Sequence, residues 1–498
     1  MSNFATAFRS APLLRPQLNL GCLMDIPTGT YIKGKHGEHV LNGGLSYITG
    51  IVGRGNMFKS VLAHFQMLTV LNRYFKSSGN VLDTEFSLII NRLYELALAM
   101  DYIAGVDLES EGRLSVTDLS VYAGNEWFSD FKKFIEGRRD KPADNLGTTP
   151  FLDKDGKLLK AFYPAVAEID SLSQFMTDSV EKIQEEEIGS SSRNVEALRG
   201  AMAKNQMMME LPGVTARGGG YVIMTAHVGD ELNLDPYAPP AKKLAFMKKA
   251  KIKNVPEKFT FLTNNCWYCF SSEVLVNQTT KAPEFPRNGE DNLKGDTDLM
   301  KVCIQNLRAK SGPTGMPFEV IISQSDGVHV GLTEFNYIRS FERYGLGGNV
   351  QNYYLELVPN INLSRTTVRS KIDENPKLQR ALEITSELCQ IKNLWHDVPA
   401  GLLCDPKTLY DDLKAKGYDW DILLEETRGF WTFEEENHPK KFLSTYDLLY
   451  MKAGEYRPWW YDDLVKAKGQ SKVTNIASKA TKLLPGMPGE LHFEPIAA

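Results

Sequence analysis

The chain has 498 residues, a formal net charge of −5 and 42% hydrophobic residues, the balance of a globular protein with room for two or three domains. So mild a charge excludes a uniformly basic nucleic-acid-binding surface and leaves only local patches for that role. Six scattered cysteines do not suggest a disulfide framework, no apolar window is long enough to span a bilayer, and residues 1–20 lack the apolar run of a signal peptide, so a cytoplasmic protein without a membrane partner is expected.

Residues 1–30, with Pro12, Pro16 and Pro27, read as an N-terminal arm and a candidate oligomerisation element. Over residues 31–345, "SYITGIV", "NVLDTEF", "YPAVAEID", "GYVIMTAH" and "CWYCFSSEVLV" read as buried strands. "SVLAHFQMLTVLNRYF" and "NVEALRGAMAKNQMMM" read as helices between them. Strands alternating with helices predict an α/β fold, a mostly parallel sheet flanked by helices. "FLDKDGKLLKAF" predicts a hairpin around Asp155 and Gly156. Its D-x-D-G start is not a calcium loop, because Pro164 holds the twelfth position where a glutamate belongs. From about 375 the composition shifts, and five of the seven tryptophans follow. Residues 375–467 therefore read as a separate, mainly helical C-terminal domain, and 468–498 as a flexible tail. No internal repeat is present.

The first chemical signal is "GRGNMFKS" (53–60), where Gly53, Lys59 and Ser60 fill positions one, seven and eight of a phosphate loop. Phe58 stands where the usual pattern has its second glycine. Backbone N–H groups of Gly53, Arg54, Gly55, Asn56, Met57 and Phe58 would cradle phosphates, Lys59 would reach the terminal ones, and the Ser60 hydroxyl would ligate Mg2+. The loop alone is also compatible with a chance match. Its partners argue otherwise. Asp170 ends an apolar run, as a second magnesium-side carboxylate should. Asp83 and Glu85 end another, where a carboxylate could orient and deprotonate water. His227 ends a third and could sense a γ-phosphate. Helix capping is the bland alternative for the acids, and a satisfied strand-end histidine for His227. Together, after a phosphate loop, these groups point to one site at the C-terminal edge of the sheet.

The order of these motifs resembles the RecA family of ATPases, particularly phage recombinases of the UvsX type, which also carry an aromatic before the loop lysine. "DTEF" resembles their D-x-E-F strand end and "EIDSLSQF" their second magnesium motif; the resemblance spans roughly residues 20–345. It implies a RecA-like P-loop core using ATP and Mg2+, with Lys59 and Ser60 on phosphate and metal, Asp170 on metal, Glu85 activating water, and Arg92 stacking on adenine. His227 stands where bacterial RecA has a glutamine. "EEEIGSSSRN" (185–194), with Gly189 and Arg193, is similar to a first DNA-binding loop. "QNLRAKSGPTGMPFEV" (305–320) resembles the segment whose cations reach a neighbour's γ-phosphate, and the i, i+2 spacing of Arg308 and Lys310 puts both on one face of a strand. "NFATAF" contains an F-x-x-A match, Phe4 to Ala7, similar to a subunit-docking peptide.

The second DNA loop would run over 228–262. It holds Lys242, Lys243, Lys248, Lys249, Lys251, Lys253 and Lys258 within "PPAKKLAFMKKAKIKNVPEKFTF", against the single acid Glu257. That patch can neutralise phosphates, with Tyr237, Phe246 or Phe259 stacking on bases; a solvated helix face is the alternative. "CWYC" (266–269) has no second cysteine pair nearby and reads as buried thiols. The expected activity is a DNA-dependent ATPase that forms helical filaments on single-stranded DNA, promotes homologous pairing in recombination and repair, and meets replication or recombination proteins. A hexameric DnaB-like helicase, which shares "GPTG", is the first alternative, and a non-catalytic DNA-binding scaffold the second.

Overall fold

A strand buried on both faces has no reason to alternate polar with apolar residues, and the five apolar runs named above do form neighbouring strands of one sheet. The computed structural model describes residues 15–86, 88–118, 124–175, 192–230 (backbone alone for 192–199), 246–247, 250–287, 297–349, 351–394, 398–399 and 401–468. The strands of the central sheet are β1 (Ile48–Gly53), β2 (Ser78–Asp83), β3 (Leu114–Asp118), β4 (Ala165–Asp170), β5 (Gly220–Asp230), β6 (Ala250–Ile252), β7 (Asn265–Val274), β8 (Leu299–Ala309), β9 (Pro317–Ser323) and β10 (Gly327–Val328). Their order is β10-β9-β8-β7-β1-β5-β4-β2-β3, with β6 hung antiparallel on the end of β5. From β7 to β3 every pairing is parallel. The β8–β9–β10 edge is antiparallel.

Helices cover both faces. The principal ones are α1 (Lys59–Arg73), α2 (Ile90–Ala97), α3 (Gly124–Asp140), α4 (Ser192–Gly218), α5 (Val330–Ser340) and α6 (Pro376–Leu394). On one face, Ala167 and Ile169 of β4 and Val222, Met224 and Ala226 of β5 pack with Trp127 of α3 and Met207, Met208 and Leu211 of α4. Strand side chains alternate, so the intervening residues Glu168, Asp170, Thr225 and His227 turn to the other face. That face meets α1, whose His64 touches Glu168. The expected hairpin is present as Leu146–Leu152 paired with Leu158–Phe162, turning through Gly156 at φ 77°.

Contacts cross the domain boundary expected near 375. Ile391 of α6 joins Ile26 and Leu41 in one buried cluster. Trp431 is fully buried, with its ring edge-on to Tyr74 at 5.1 Å and to Phe151 at 5.3 Å. Residues up to Tyr456 are one compact unit and those from Arg457 a second, so the tryptophan-rich region to 456 completes the core and is not a separate domain. Within the second unit, Arg457 pairs with Asp462. Residues 15–30 of the expected arm are also built in: Leu18 bridges to Leu45, and Tyr221 donates its hydroxyl hydrogen to the Pro16 carbonyl. Residues 1–14, including the F-x-x-A match, and the tail after 468 lie outside the described residues. No described helix is long and apolar enough to cross a membrane.

Candidate nucleotide site

The expected loop joins β1 to α1. Gly53 ends β1 under a steric demand: a Cβ there would lie 2.8 Å from the Cys269 carbonyl oxygen on β7. A Cβ on Gly55 would meet nothing within 4 Å, so the loop is open at that point. Phe58 occupies the N-cap of α1 at φ 55°, ψ 28°, the left-handed region that a glycine enters freely. The chain therefore keeps the glycine-type backbone with a large, half-buried side chain attached, at a strain of about 1–2 kcal/mol. Its carbonyl accepts the first helical bond, from the Leu62 N–H at 3.0 Å.

Lys59 is buried, and its Nζ donates to the Arg54 carbonyl at 2.8 Å. One bond leaves two of its three ammonium hydrogens for an anion. Burial lowers its pKa, while Cys269, Asp170 and Glu85 act in the opposite sense. Ser60, the second residue of α1, is half-buried. Arg54 is exposed and pairs with Asp230 at the end of β5.

The strand ends converge as expected. Asp170 ends β4 and accepts a hydrogen bond from the Thr225 hydroxyl of β5. The Asp170–Ser171 peptide is cis. The Ser171 hydroxyl donates to Glu85 Oε1 at 3.1 Å, and His227 Nε2 lies 3.1 Å from the same oxygen. Both Glu85 and His227 are about one-third exposed, with side-chain accessibilities of 36% and 34%. Asp83 is buried and turns inward instead, accepting the N–H groups of Glu85 and Leu88 at 2.9 and 2.7 Å. It shapes the turn that presents Glu85. Thr84 locks that turn to β4: its hydroxyl donates to the Ser171 carbonyl at 2.9 Å and accepts from the Ser171 N–H at 2.7 Å.

The outer candidates divide. Arg92 on α2 donates to the carbonyls of Ser325 and Gln324 at 2.6 and 2.7 Å, and pairs with Glu95, so the β9–β10 turn fixes its guanidinium. Arg308 on β8 is half-buried, donating through Nη1 to the Thr260 carbonyl at 3.3 Å, while Lys310 just beyond is exposed. Lys251 and Lys253 lie on or beside β6, which pairs back onto β5 so that the Lys253 N–H donates to the His227 carbonyl at 2.8 Å. Phe246 is half exposed and packs on the "GPTG" turn, where a Cβ on Gly315 would strike its ring. Lys242, Lys243, Lys248, Lys249 and Gly189 lie outside the described residues, as does the side chain of Arg193. Cys266 and Cys269 are buried, and burial pushes both thiols up to about 12, as unreactive core cysteines.

Sequence reasoning missed Thr84, Ser171 and Thr225, neutral side chains that become informative only when their neighbours are known. It also missed His64 and Glu168. Glu168 did leave a signal: a carboxylate in the middle of the apolar run "AVAEID". Comparison of the sequence with protein-family models and with curated proteins finds no match.

Proposed function

We propose that this chain is a RecA-like, DNA-dependent ATPase that polymerises on single-stranded DNA and promotes homologous pairing. The observation that carries the reading is the meeting of Glu85, Asp170 and His227, from the carboxyl-terminal parts of three adjacent parallel strands, beside the buried ammonium of Lys59. Ligands of open parallel sheets bind at that carboxyl edge. The donor set fits Mg·ATP: a loop of backbone N–H groups at a helix start, a lysine with donors to spare, and a hydroxyl and a carboxylate for the metal.

In this reading Lys59 draws the terminal phosphates into the loop, and Ser60 and Asp170 hold Mg2+. The metal supplies charge neutralisation on the phosphate oxygens. Glu85 orients and deprotonates the attacking water. His227 holds Glu85 before a phosphate arrives, and shifts its hydrogen bond toward the phosphate afterwards. Because the His227 carbonyl is bonded to Lys253, that shift reaches the lysine-bearing segment through the backbone. Exposed Lys310, with Arg308, serves the neighbouring subunit's site, so hydrolysis depends on assembly. Pairing of homologous DNA rests on the resemblance to UvsX-type proteins.

Electron microscopy with ATP and single-stranded DNA, run beside an ATPase assay, tests the reading. Helical filaments and DNA-stimulated hydrolysis are expected. Closed rings that unwind forks would replace it with the DnaB-like alternative, and neither polymer nor stimulation would overturn both. Lys59→Ala should lower hydrolysis by about 10²–10³-fold, the loss typical of one well-placed donor to developing charge. Wild-type turnover in that variant would move the site elsewhere.

A further inference from the structure

Directly behind Asp170 lies a cluster that the proposed hydrolysis does not use. Glu168, two residues earlier on β4, is wholly buried, and His64 of α1 is 5% exposed. His64 Nδ1 comes within 2.7 Å of Glu168 Oε1. The approach lacks hydrogen-bond geometry: Nδ1 and both Glu168 oxygens have no hydrogen-bond partner. A fully buried carboxylate whose one close partner is a poorly aligned imidazole is costly, and native structures seldom leave one so. One ligand atom from each of His64, Glu168 and Asp170 lies within 4.8 Å of the other two.

We propose that His64, Glu168 and Asp170 form a binding site for a borderline divalent metal, with Zn2+ the best match. Bound at roughly 2.0–2.2 Å from each donor, a single ion sets its ligand atoms roughly 3–4.5 Å apart, so the 2.7 Å His64–Glu168 approach would have to open by a few tenths of an ångström on binding. Imidazole in the set selects Zn2+ or its transition-metal neighbours over Mg2+ and Ca2+, which prefer oxygen shells. Asp170 is half-exposed and gives the ion its way in. On the ATPase reading, an ion here competes for Asp170, so Zn2+ inhibits hydrolysis; the site itself does not depend on that reading.

The test uses the full chain stripped with a chelator, then titrated with Zn2+ in millimolar Mg2+. One equivalent should bind, with an X-ray absorption spectrum showing imidazole and oxygen scattering and no sulfur. Glu168→Gln and His64→Gln should each weaken binding at least about 10-fold. No Zn2+ uptake, a thiolate shell, or unchanged affinity in both folded variants would overturn the site. The wild-type spectrum decides even if both variants fail to fold. A chain that shows the imidazole–oxygen shell and hydrolyses no ATP would sink the ATPase reading and leave the metal site standing.

Discussion

Two buried histidine–carboxylate pairs in this protein look alike by distance and differ in everything else. His39 Nδ1 meets Asp447 at 2.9 Å; His64 Nδ1 meets Glu168 at 2.7 Å. At the first pair every bond is made. The His39 backbone N–H also donates to Asp447 at 2.8 Å, Asp447 completes a capping box with Ser444, and the His39 ring stacks on Tyr450 at 4.3 Å. At the second, the carboxylate oxygens are orphaned. The first is a joint between the hairpin of residues 30–42 and the helix Thr445–Ala453. The second is shaped around something additional. Proximity of charge, then, does not separate a structural pair from a site; the completeness of its hydrogen bonding does.

The comparison can be broken by substitution. Asp447→Ala should cost about 3–5 kcal/mol in chemical denaturation, since it strands the bonded groups of a buried pair. A loss under about 1 kcal/mol would mean that the joint is not a joint. At the second pair the sign should reverse. In metal-free protein, replacing both partners (His64→Leu with Glu168→Leu) should be neutral or stabilising by up to about 4 kcal/mol. Destabilisation comparable to Asp447→Ala would make the two pairs equivalent.

His438 sharpens the contrast, because it is buried without a carboxylate partner, its Nδ1 accepting from the Lys440 N–H at 3.1 Å. Burial, and then Arg428, push its pKa from the usual 6.5 down to about 3. The unfolded chain binds that proton more readily, so the stability linked to His438 is full above about pH 6.5 and falls as pH drops toward 3. His438→Gln should flatten this limb of a pH–stability curve; an unchanged limb would show that other groups set it. The smallest effect concerns strain and not charge. At Phe58, Gly should be more stable than Ala by about 1 kcal/mol, because alanine keeps the left-handed φ and loses the packing. Ala equal to or above Gly would show the loop relaxing away from that conformation.

Much of this arrangement was legible in the sequence. β1, β4, β5 and the first half of β7 are visible because strands covered on both faces are continuous apolar runs, and Asp83, Asp170 and His227 are visible because a polar group interrupts such a run. β3 (Leu114–Asp118) and α3 were not seen. β3 is a short, half-polar strand at the sheet edge, and Trp127 of α3 declares itself only against the sheet. The tryptophans after 375 read as the mark of a separate domain, whereas Trp431 packs into the core of the unit that ends at Tyr456. Nothing in the sequence shows that Tyr74 and Phe151 cover Trp431. Phe58 reads from sequence as an anomaly; its backbone holds the left-handed conformation that a glycine would enter freely.

The bond from the Lys253 N–H to the His227 carbonyl has an evolutionary consequence. A main-chain link is indifferent to the side chains that carry it. Exposed Lys251 and Lys253 are therefore free to drift in charge and size across descendants of this chain, altering what the segment grips, while buried Ala250 and Ile252 and the mechanical attachment to the end of β5 are inherited unchanged.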